Sequence, residues 1–339
     1  MITFLHVCLA SLLVMSDREH FWDADKVATE TEITWDSLRS EPSLDIEQLK
    51  DKKILLVVHG FNNSANEAMQ TYRSVTEHIA ALRGANGDAF YDVVIGYLWP
   101  GYQNKLDYYA AKKHACELKE KMEAHLRFLS SIAAKVDVMA HSMGNRLVFE
   151  ALNFPRKNDE KKLVQNFYSL AAAVNNESIE KKHKYFHSSK NCEDIFVFHS
   201  KQDEVLEFLY TIAEWDRALG FEGVENLKKL PKNVQLIDCT TFVTGHSQYF
   251  NASNVYGFIR GELLKQIPSP KTAQNLKILA NGDVEVIFNG KKTLLPQRPL
   301  EVKNINSALI TELKNSSDEK NRTEVLASES PDSKLETKK

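Results

Sequence analysis

The sequence of 339 residues lacks several patterns that would place it in a common class of proteins. No segment approaches the ~20 consecutive apolar residues of a membrane-spanning helix, so we expect no stable membrane insertion. The chain has no glycine-rich phosphate loop, dinucleotide fingerprint or zinc-binding pattern, and we therefore predict no cofactor and no metal. The formal net charge of −3 gives no reason to expect nucleic-acid binding.

Cysteine is also scarce, and the arrangement of the cysteines is uninformative about metals. The four residues are Cys8, Cys116, Cys192 and Cys239. They show no metal-ligand spacing, so we interpret them as free, mostly buried thiols, which suits a reducing compartment. We therefore expect a cytoplasmic protein. The apolar stretch 2–15 leaves export open, but no Lys or Arg precedes it, and we favour a buried first strand over 10–15.

What the sequence does contain is an alternation of strand and helix patterns. Short apolar runs, typical of strands buried on both faces, occur at 53–58, 92–98, 166–172, 193–198 and 234–238. Helical spacing of apolar residues predicts helices over 66–82, 105–133, 204–219 and 252–267. This alternation predicts an α/β fold with a mostly parallel, doubly wound sheet and helices on both faces.

The pattern divides the chain into four parts. These are an N-terminal strand and lead-in (1–50), the α/β core (51–268), a β-hairpin extension (269–314) and a disordered polar tail (315–339). The hairpin is predicted over 275–296, where two Asn-Gly turn signals flank β-rich runs. The tail is predicted to be disordered because it has almost no bulky apolar residues, although a C-terminal export signal is a weaker alternative.

The most informative segment is Ala140–Gly144, which lies between an apolar run and a helix-compatible run. Its pattern of small residue, X, Ser, X, small residue is that of a nucleophile elbow. A strand that turns into a helix within so few residues needs small side chains on either side of the turn. The pattern predicts that Ser142 presents its hydroxyl above the sheet and that the N–H of Met143 points at a developing oxyanion.

Two further residues complete a hydrolytic arrangement. A serine hydroxyl needs a base, and the base needs an orienting acid, in the chain order Ser, acid, His. We predict Ser142 as nucleophile, Asp203 as acid and His246 as base, each just beyond a predicted strand. Asp203 also suits a helix N-cap, and the competing acids are Glu204, Asp194, Asp238 and, after the 166–172 strand, Glu177.

The turn His59-Gly60-Phe61 follows an early strand, where the second oxyanion donor belongs. We predict that the N–H of Phe61 joins that of Met143 in this role. Trp99 and Tyr102 follow the next strand, and together with His59 and His141 they are candidate pocket residues; the alternative for each is structural packing.

These features resemble the α/β-hydrolase superfamily and, more narrowly, a poorly characterised bacterial family of esterase/lipase-like α/β hydrolases. The resemblance covers about residues 50–265 and includes His59–Asn62, Ala140–Asn145 and the segment from His199 to Asp203. It implies hydrolysis of an ester, thioester or amide through an acyl-enzyme without a metal. One departure is the segment Ala171–Asn176, where the family usually has Ala-Pro-Asp and this chain has no acid.

We therefore expect a serine hydrolase that cleaves a small-molecule carboxylic ester. A lipase or phospholipase is the first alternative, although the sequence shows no obvious amphipathic lid. The second is a binding module that has kept the hydrolase fold without catalysis. The sequence does not indicate the acyl group, the alcohol or the oligomeric state.

Overall fold

The computed structural model describes residues 11–35, 46–157, 160–269, 275–288 and 291–296. The first ten residues, including Cys8, and the predicted tail 315–339 lie outside the described residues. None of the helices in the described part of the chain is long and apolar enough to span a membrane.

Eleven strands of the described ranges form one mixed sheet. They are β1 (Ser11–Arg18), β2 (Val27–Trp35), β3 (Lys53–Val58), β4 (Val93–Leu98), β5 (Lys135–His141), β6 (Val164–Leu170), β7 (Cys192–His199), β8 (Val234–Asp238), β9 (Asn275–Ile278), β10 (Val284–Phe288) and β11 (Lys291–Leu295). Their order across the sheet is β11-β10-β9-β8-β7-β6-β5-β3-β4-β1-β2. Strands β1 and β3 through β9 run parallel to one another, and β2, β10 and β11 pair antiparallel at the two edges. The predicted mostly parallel sheet is confirmed.

Seven α-helices of the described residues pack around this sheet. They are α1 (Ala65–Ala81), α2 (Tyr108–Glu117), α3 (Lys119–Ile132), α4 (Met143–Leu152), α5 (Thr211–Glu214), α6 (Leu219–Glu222) and α7 (Ser253–Leu263). Helices α2, α3 and α4 contact one another and share one hydrophobic cluster with one face of the sheet. Helices α1 and α7 contact each other, and Phe258 of α7 packs on Phe196 and Phe198 of β7. Helices therefore cover both faces, as predicted.

Local sequence explains where the first core elements begin. In β3 the residues from Ile54 to Val58 are completely buried, as expected of a central parallel strand. Helix α1 starts at a capping box, in which Ser64 and Glu67 each bond to the other's backbone N–H. The helix ends before Leu82, which lies in an extended conformation.

Three predicted elements differ in the structure. The single helix over 105–133 is wrong, because the segment starts with a 3₁₀ turn (Lys105–Asp107) and then divides at Leu118 into α2 and α3. The helix over 204–219 is also wrong: a π-helical turn (Val205–Tyr210) leads into α5. Helix α5 ends at Trp215, which adopts the left-handed conformation with φ 57°.

The third difference concerns 275–296, which forms three strands rather than one hairpin. Strand β9 lies parallel beside β8, and β10 and β11 follow it antiparallel. The extension therefore continues the main sheet. A sequence pattern that identifies turns does not say which strand of the core a new strand will join.

Candidate active site

Ser142 occupies the tight turn between β5 and α4 and has φ 52° and ψ −124°. Non-glycine residues rarely adopt positive φ, and such strain is often found at functional sites. The turn is held by the buried amide of Asn145, whose Nδ2 donates to the carbonyl oxygens of Ala140, Ser142 and Leu170 at 2.9–3.2 Å. These bonds fix the strained backbone in place.

Gly144 allows this turn to lie against the end of β3. A methyl group at Gly144 would stand 2.4 Å from the carbonyl oxygen of His59 and 3.0 Å from that of Val58. Only a hydrogen fits in this space, which is the physical reason for the small residue two positions after the serine.

The hydroxyl of Ser142 belongs to a chain of hydrogen bonds with the two other predicted residues. Its Oγ lies 2.8 Å from Nε2 of His246, and Nδ1 of His246 lies 2.8 Å from Oδ2 of Asp203. Because a carboxylate only accepts, Nδ1 carries the proton and Nε2 accepts from the serine hydroxyl. His246 lies in the loop between β8 and α7, and Asp203 follows β7.

Asp203 is completely buried and has two partners. While Oδ2 binds His246, Oδ1 accepts from the N–H of Leu206 at 3.1 Å. The carboxylate thus caps the following helical turn and orients the histidine at the same time. The N-cap interpretation and the site interpretation of this residue are compatible.

The other acids considered from the sequence have different environments. Asp238 accepts from the N–H of Thr240 at 2.9 Å, and Glu204 is exposed. In the segment without the family's usual acid, Asn175 accepts from the hydroxyl of Tyr210 at 2.7 Å and donates to Asp216. Asn175 therefore anchors the π-helical segment through Tyr210 and does not bind His246.

His141 supports the loop that carries His246. Its Nε2 lies 2.8 Å from the carbonyl oxygen of His246, so this nitrogen carries the proton. Burial lowers the pKa of His141 from 6.5 to about 3, and the neighbouring His246 adds to the effect. The ring is therefore a neutral donor that packs between His246 and Phe250.

The turn after β3 packs closely against the serine. A methyl group at Gly60 would stand 2.9 Å from Cβ of Ser142, so this turn lies directly against the elbow. Asn63 Nδ2 donates to the carbonyl of Phe61 at 2.9 Å and stabilises the turn. Within the described part of the chain, the N–H groups of Phe61 and Met143 have no hydrogen-bond acceptor.

The candidate pocket residues lie at different depths. His59 and Trp99 are 1% and 0% exposed and stack with ring centroids 5.5 Å apart, while Trp99 Nε1 donates to the carbonyl of His59 at 2.8 Å. Both rings therefore support the Gly60 turn from the protein interior. Tyr102 packs on His114, with ring centroids 5.0 Å apart.

Two features near the site were missed by sequence reasoning. One is Arg18 at the end of β1, a buried cation that reaches the turn after β3. The only available signal was a polar Ser16–Arg18 run directly after an apolar strand.

The other missed feature is a group of large apolar side chains that are exposed to solvent; we call it the apolar surface. It comprises Leu106, Tyr109, Val205, Phe208, Leu209, Ile212 and Trp215. Trp215 and Leu106 are 89% and 87% exposed. The hydroxyl of Tyr109 donates to the carbonyl of Ala213 at 2.9 Å and joins the two contributing segments. In sequence these residues look like the buried stripe of a helix.

The chain belongs to a family described as alpha/beta hydrolases of unknown function (DUF900), whose model matches residues 36–261. The predicted α/β-hydrolase fold is confirmed. No curated protein sequence matches the chain.

Several solved structures are similar at low sequence identity. An esterase from Pyrobaculum calidifontis is 12% identical with a TM-score of 0.35, covering 64% of this chain and 77% of its own. The metagenome-derived lipolytic enzymes LipS and LipT are represented by a chain that is 13% identical with a TM-score of 0.35, covering 64% and 95%. Est1E from Butyrivibrio proteoclasticus is 12% identical with a TM-score of 0.32, covering 64% and 87%.

Proposed function

We propose that this protein is a serine esterase in which Ser142 is the nucleophile, His246 the general base and Asp203 the orienting acid. The observation that carries the proposal is the chain of two hydrogen bonds, each 2.8 Å long, that runs from Ser142 through His246 to Asp203. The strained backbone of Ser142 at the end of a parallel strand adds support, because it places the hydroxyl where substrates of such sheets bind.

In the acylation step, Oγ of Ser142 attacks the ester carbonyl while its proton passes to Nε2 of His246. The negative charge that develops on the carbonyl oxygen is met by the N–H groups of Phe61 and Met143. The carbon–oxygen bond to the alcohol then breaks, and the imidazolium returns the proton to the departing alcohol. The product of this step is an acyl-enzyme on Ser142.

Deacylation repeats the sequence with water as the nucleophile. His246 takes a proton from water, hydroxide adds to the acyl carbon, and the proton then returns to Oγ as the acid departs. Asp203 keeps its proton-free form throughout and stabilises the imidazolium through the bond to Nδ1.

The proposal is tested by hydrolysis of a p-nitrophenyl ester series, from acetate to palmitate, together with labelling by a fluorophosphonate. The Ser142→Ala variant is expected to lose both hydrolysis and labelling. Ser188→Ala is the matched control, because Ser188 is also a buried serine but donates to the carbonyl of Phe149, away from the site. An inactive, unlabelled wild type would contradict the proposal and favour a non-catalytic binding module.

A second candidate function, a lipase acting on aggregated lipid esters, is favoured by the apolar surface. The π-helical turn that exposes Val205, Phe208 and Leu209 begins two residues after Asp203, and its Leu206 N–H is capped by that acid. Exposed apolar groups of this size, rich in aromatic rings, are typical of surfaces that contact lipid.

The two functions differ in their response to chain length and to the apolar surface. A lipase is expected to prefer long acyl chains and emulsified substrates, and Trp215→Ser is expected to weaken only those activities. Leu294→Ser is a suitable control, because Leu294 is 52% exposed on the edge strand β11. An optimum at short chains that Trp215→Ser leaves unchanged would contradict the lipase.

A further inference from the structure

Arg18 is a buried arginine without a carboxylate partner. It lies at the end of β1, is 2% exposed and forms no ion pair among the described residues. Its Nε donates to the carbonyl of Trp99 at 3.1 Å, and its Nη2 donates to the carbonyl of Asn63 at 3.0 Å. Nη1 is buried and has no hydrogen-bond partner within the described ranges. No carboxylate lies at ion-pair distance among the described residues, although the charge of Asp23 acts on the guanidinium and favours its protonated form. Burying a cation in this way is costly.

The same guanidinium also fixes the state of His59. Nη2 of Arg18 lies 3.3 Å from Nε2 of His59. Because arginine can only donate, Nε2 of the histidine accepts and the ring proton is on Nδ1. This Nδ1 lies 2.7 Å from the carbonyl oxygen of Gly60, to which it therefore donates.

The charges of the two side chains agree with this assignment. Burial, reinforced by the nearby Arg18 cation, lowers the pKa of His59 from 6.5 to about 3, so the ring is neutral at physiological pH. Burial also lowers the pKa of Arg18 to about 10, which leaves the guanidinium charged. A cation thus donates to a neutral ring, which in turn donates to Gly60.

The hydrogen bond to Gly60 acts directly on the N–H of Phe61. The carbonyl of Gly60 and the N–H of Phe61 are the two ends of one planar peptide unit. A bond that fixes the carbonyl therefore fixes the direction of the N–H. Since hydrogen bonds in series polarise one another, donation from a cation through His59 also makes the N–H of Phe61 a stronger donor.

We propose that Arg18 and His59 are positioning residues that orient and polarise the N–H of Phe61 as an oxyanion donor. We call the series Arg18, His59 and the Gly60–Phe61 peptide the oxyanion relay. The proposal rests on the proposed esterase function for its catalytic consequence. Two additional bonds of Arg18, to the carbonyls of Trp99 and Asn63, hold its guanidinium between the end of β4 and the start of α1.

The first test compares kinetics with stability. Arg18→Met removes the charge and keeps the length of the side chain, and Arg18→Lys keeps the charge with fewer donors. Removal of an oxyanion donor typically costs ~10²–10³ in rate. Because the donor is misdirected here rather than removed, we expect kcat to fall about 10-fold to 100-fold in Arg18→Met, with KM unchanged and a smaller loss in Arg18→Lys.

The matched control is Asp17→Asn on the same strand. Asp17 is completely buried and bonds to Thr31, Tyr97 and His125, on the opposite face of β1 from Arg18. Both Asp17→Asn and Arg18→Met are expected to lose stability, but Asp17→Asn is expected to keep the kcat of the wild type. Inhibition by a trifluoromethyl ketone, whose adduct places an oxyanion beside the serine, is expected to weaken in Arg18→Met by the same factor as kcat.

The second test does not depend on hydrolysis. In the NMR spectrum of protein labelled with ¹⁵N at histidine and phenylalanine, His59 is expected to show a protonated Nδ1 and a hydrogen-bonded Nε2. The amide proton of Phe61 is expected to move upfield in Arg18→Met and to stay in place in Asp17→Asn. This result in a protein inactive towards esters would support the relay and contradict the esterase function.

The relay is contradicted if His59 carries its proton on Nε2, or if the amide resonance of Phe61 is the same in wild type and Arg18→Met. It is also contradicted if Arg18→Met and Asp17→Asn lose kcat equally, in proportion to their loss of stability. If Arg18→Met fails to fold, the same three measurements are made on Arg18→Lys: the protonated nitrogen of His59, the amide resonance of Phe61 and the loss of kcat relative to stability.

Discussion

A methyl group at Gly144 is expected to damage both the stability and the chemistry of the site. The added Cβ would stand 2.4 Å from the carbonyl oxygen of His59. A normal contact between carbon and oxygen is at least ~3.4 Å, so one of the two segments must move by about 1 Å. That carbonyl already accepts from Trp99 Nε1, and its movement would carry the turn of Gly60 and Phe61 with it.

The magnitude follows from these contacts. Overpacking at a buried site costs about 1–3 kcal/mol of unfolding free energy. A displacement of about 1 Å at a reacting centre can cost ~10²-fold in rate. We expect Gly144→Ala to unfold at a lower urea concentration and to lose about 10-fold to 100-fold in kcat on a p-nitrophenyl ester.

The control is Gly257→Ala in helix α7. Beyond the adjoining helix backbone, no atom of the described residues lies within 4 Å of the Cβ that would be added there, so alanine is accommodated. Alanine in a helix interior is about 0.5–1 kcal/mol more favourable than glycine. Gly257→Ala is therefore expected to be slightly stabilised and fully active. If Gly144→Ala and Gly257→Ala had the same urea stability and the same kcat, the close approach of the elbow to β3 would be refuted.

Three other predictions follow from the site. The pKa of His59 and of His141 is about 3 in the folded protein and 6.5 ordinarily. Below pH 6.5 the unfolded state therefore binds more protons than the folded state, so the unfolding free energy is highest above pH 6.5 and falls as the pH is lowered. Urea unfolding at pH 7 and pH 5 should show a loss of about 4 kcal/mol on acidification, and unchanged stability would contradict the buried neutral rings. Asp203→Asn is expected to lower kcat by several orders of magnitude and Asp238→Asn to leave it near wild type; the reverse order would assign the acid to Asp238. Asn145→Ala, which removes one donor from each of three buried carbonyls, is expected to lower the unfolding free energy by about 1–3 kcal/mol, and an unchanged urea midpoint would argue against that anchor.

The parts of the fold that sequence could predict are those where local pattern and tertiary environment agree. Strand β3 from Ile54 onward and strand β4 are apolar because they lie in the middle of a parallel sheet covered on both faces. The elbow at Ser142 was predictable because its steric demand is local and excludes all but small residues two positions away. The order of Ser142, Asp203 and His246 along the chain then suggested the residues whose side chains meet in the structure.

The remaining features depend on which distant elements become neighbours. The segment from Val205 to Trp215 has apolar residues at helical spacing, which normally indicates a buried stripe, yet most of these side chains face solvent. Their exposure is decided by the anchors of the segment: Asn175 holds Tyr210, and Tyr108, Lys112 and Arg146 bind Glu214. These bonds connect parts of the chain that no local pattern relates.

Arg18 illustrates the same limit. The strand β1 lies beside β4 across the sheet, so its last residue reaches the turn after β3. From sequence, an arginine after an apolar strand is most simply a solvated strand end. Only the sheet order shows that this cation is buried against the residues that support Phe61.

The most direct test of the central claim is covalent labelling of Ser142 by a fluorophosphonate, located by mass spectrometry of the digested protein. A hydroxyl that donates to His246 in a strained turn is expected to react, and the label is expected on Ser142 alone. Labelling should be absent in Ser142→Ala and His246→Ala and retained in Ser188→Ala. An unlabelled wild type, or a label on another serine, would contradict the account of this site as the nucleophilic centre of a serine esterase.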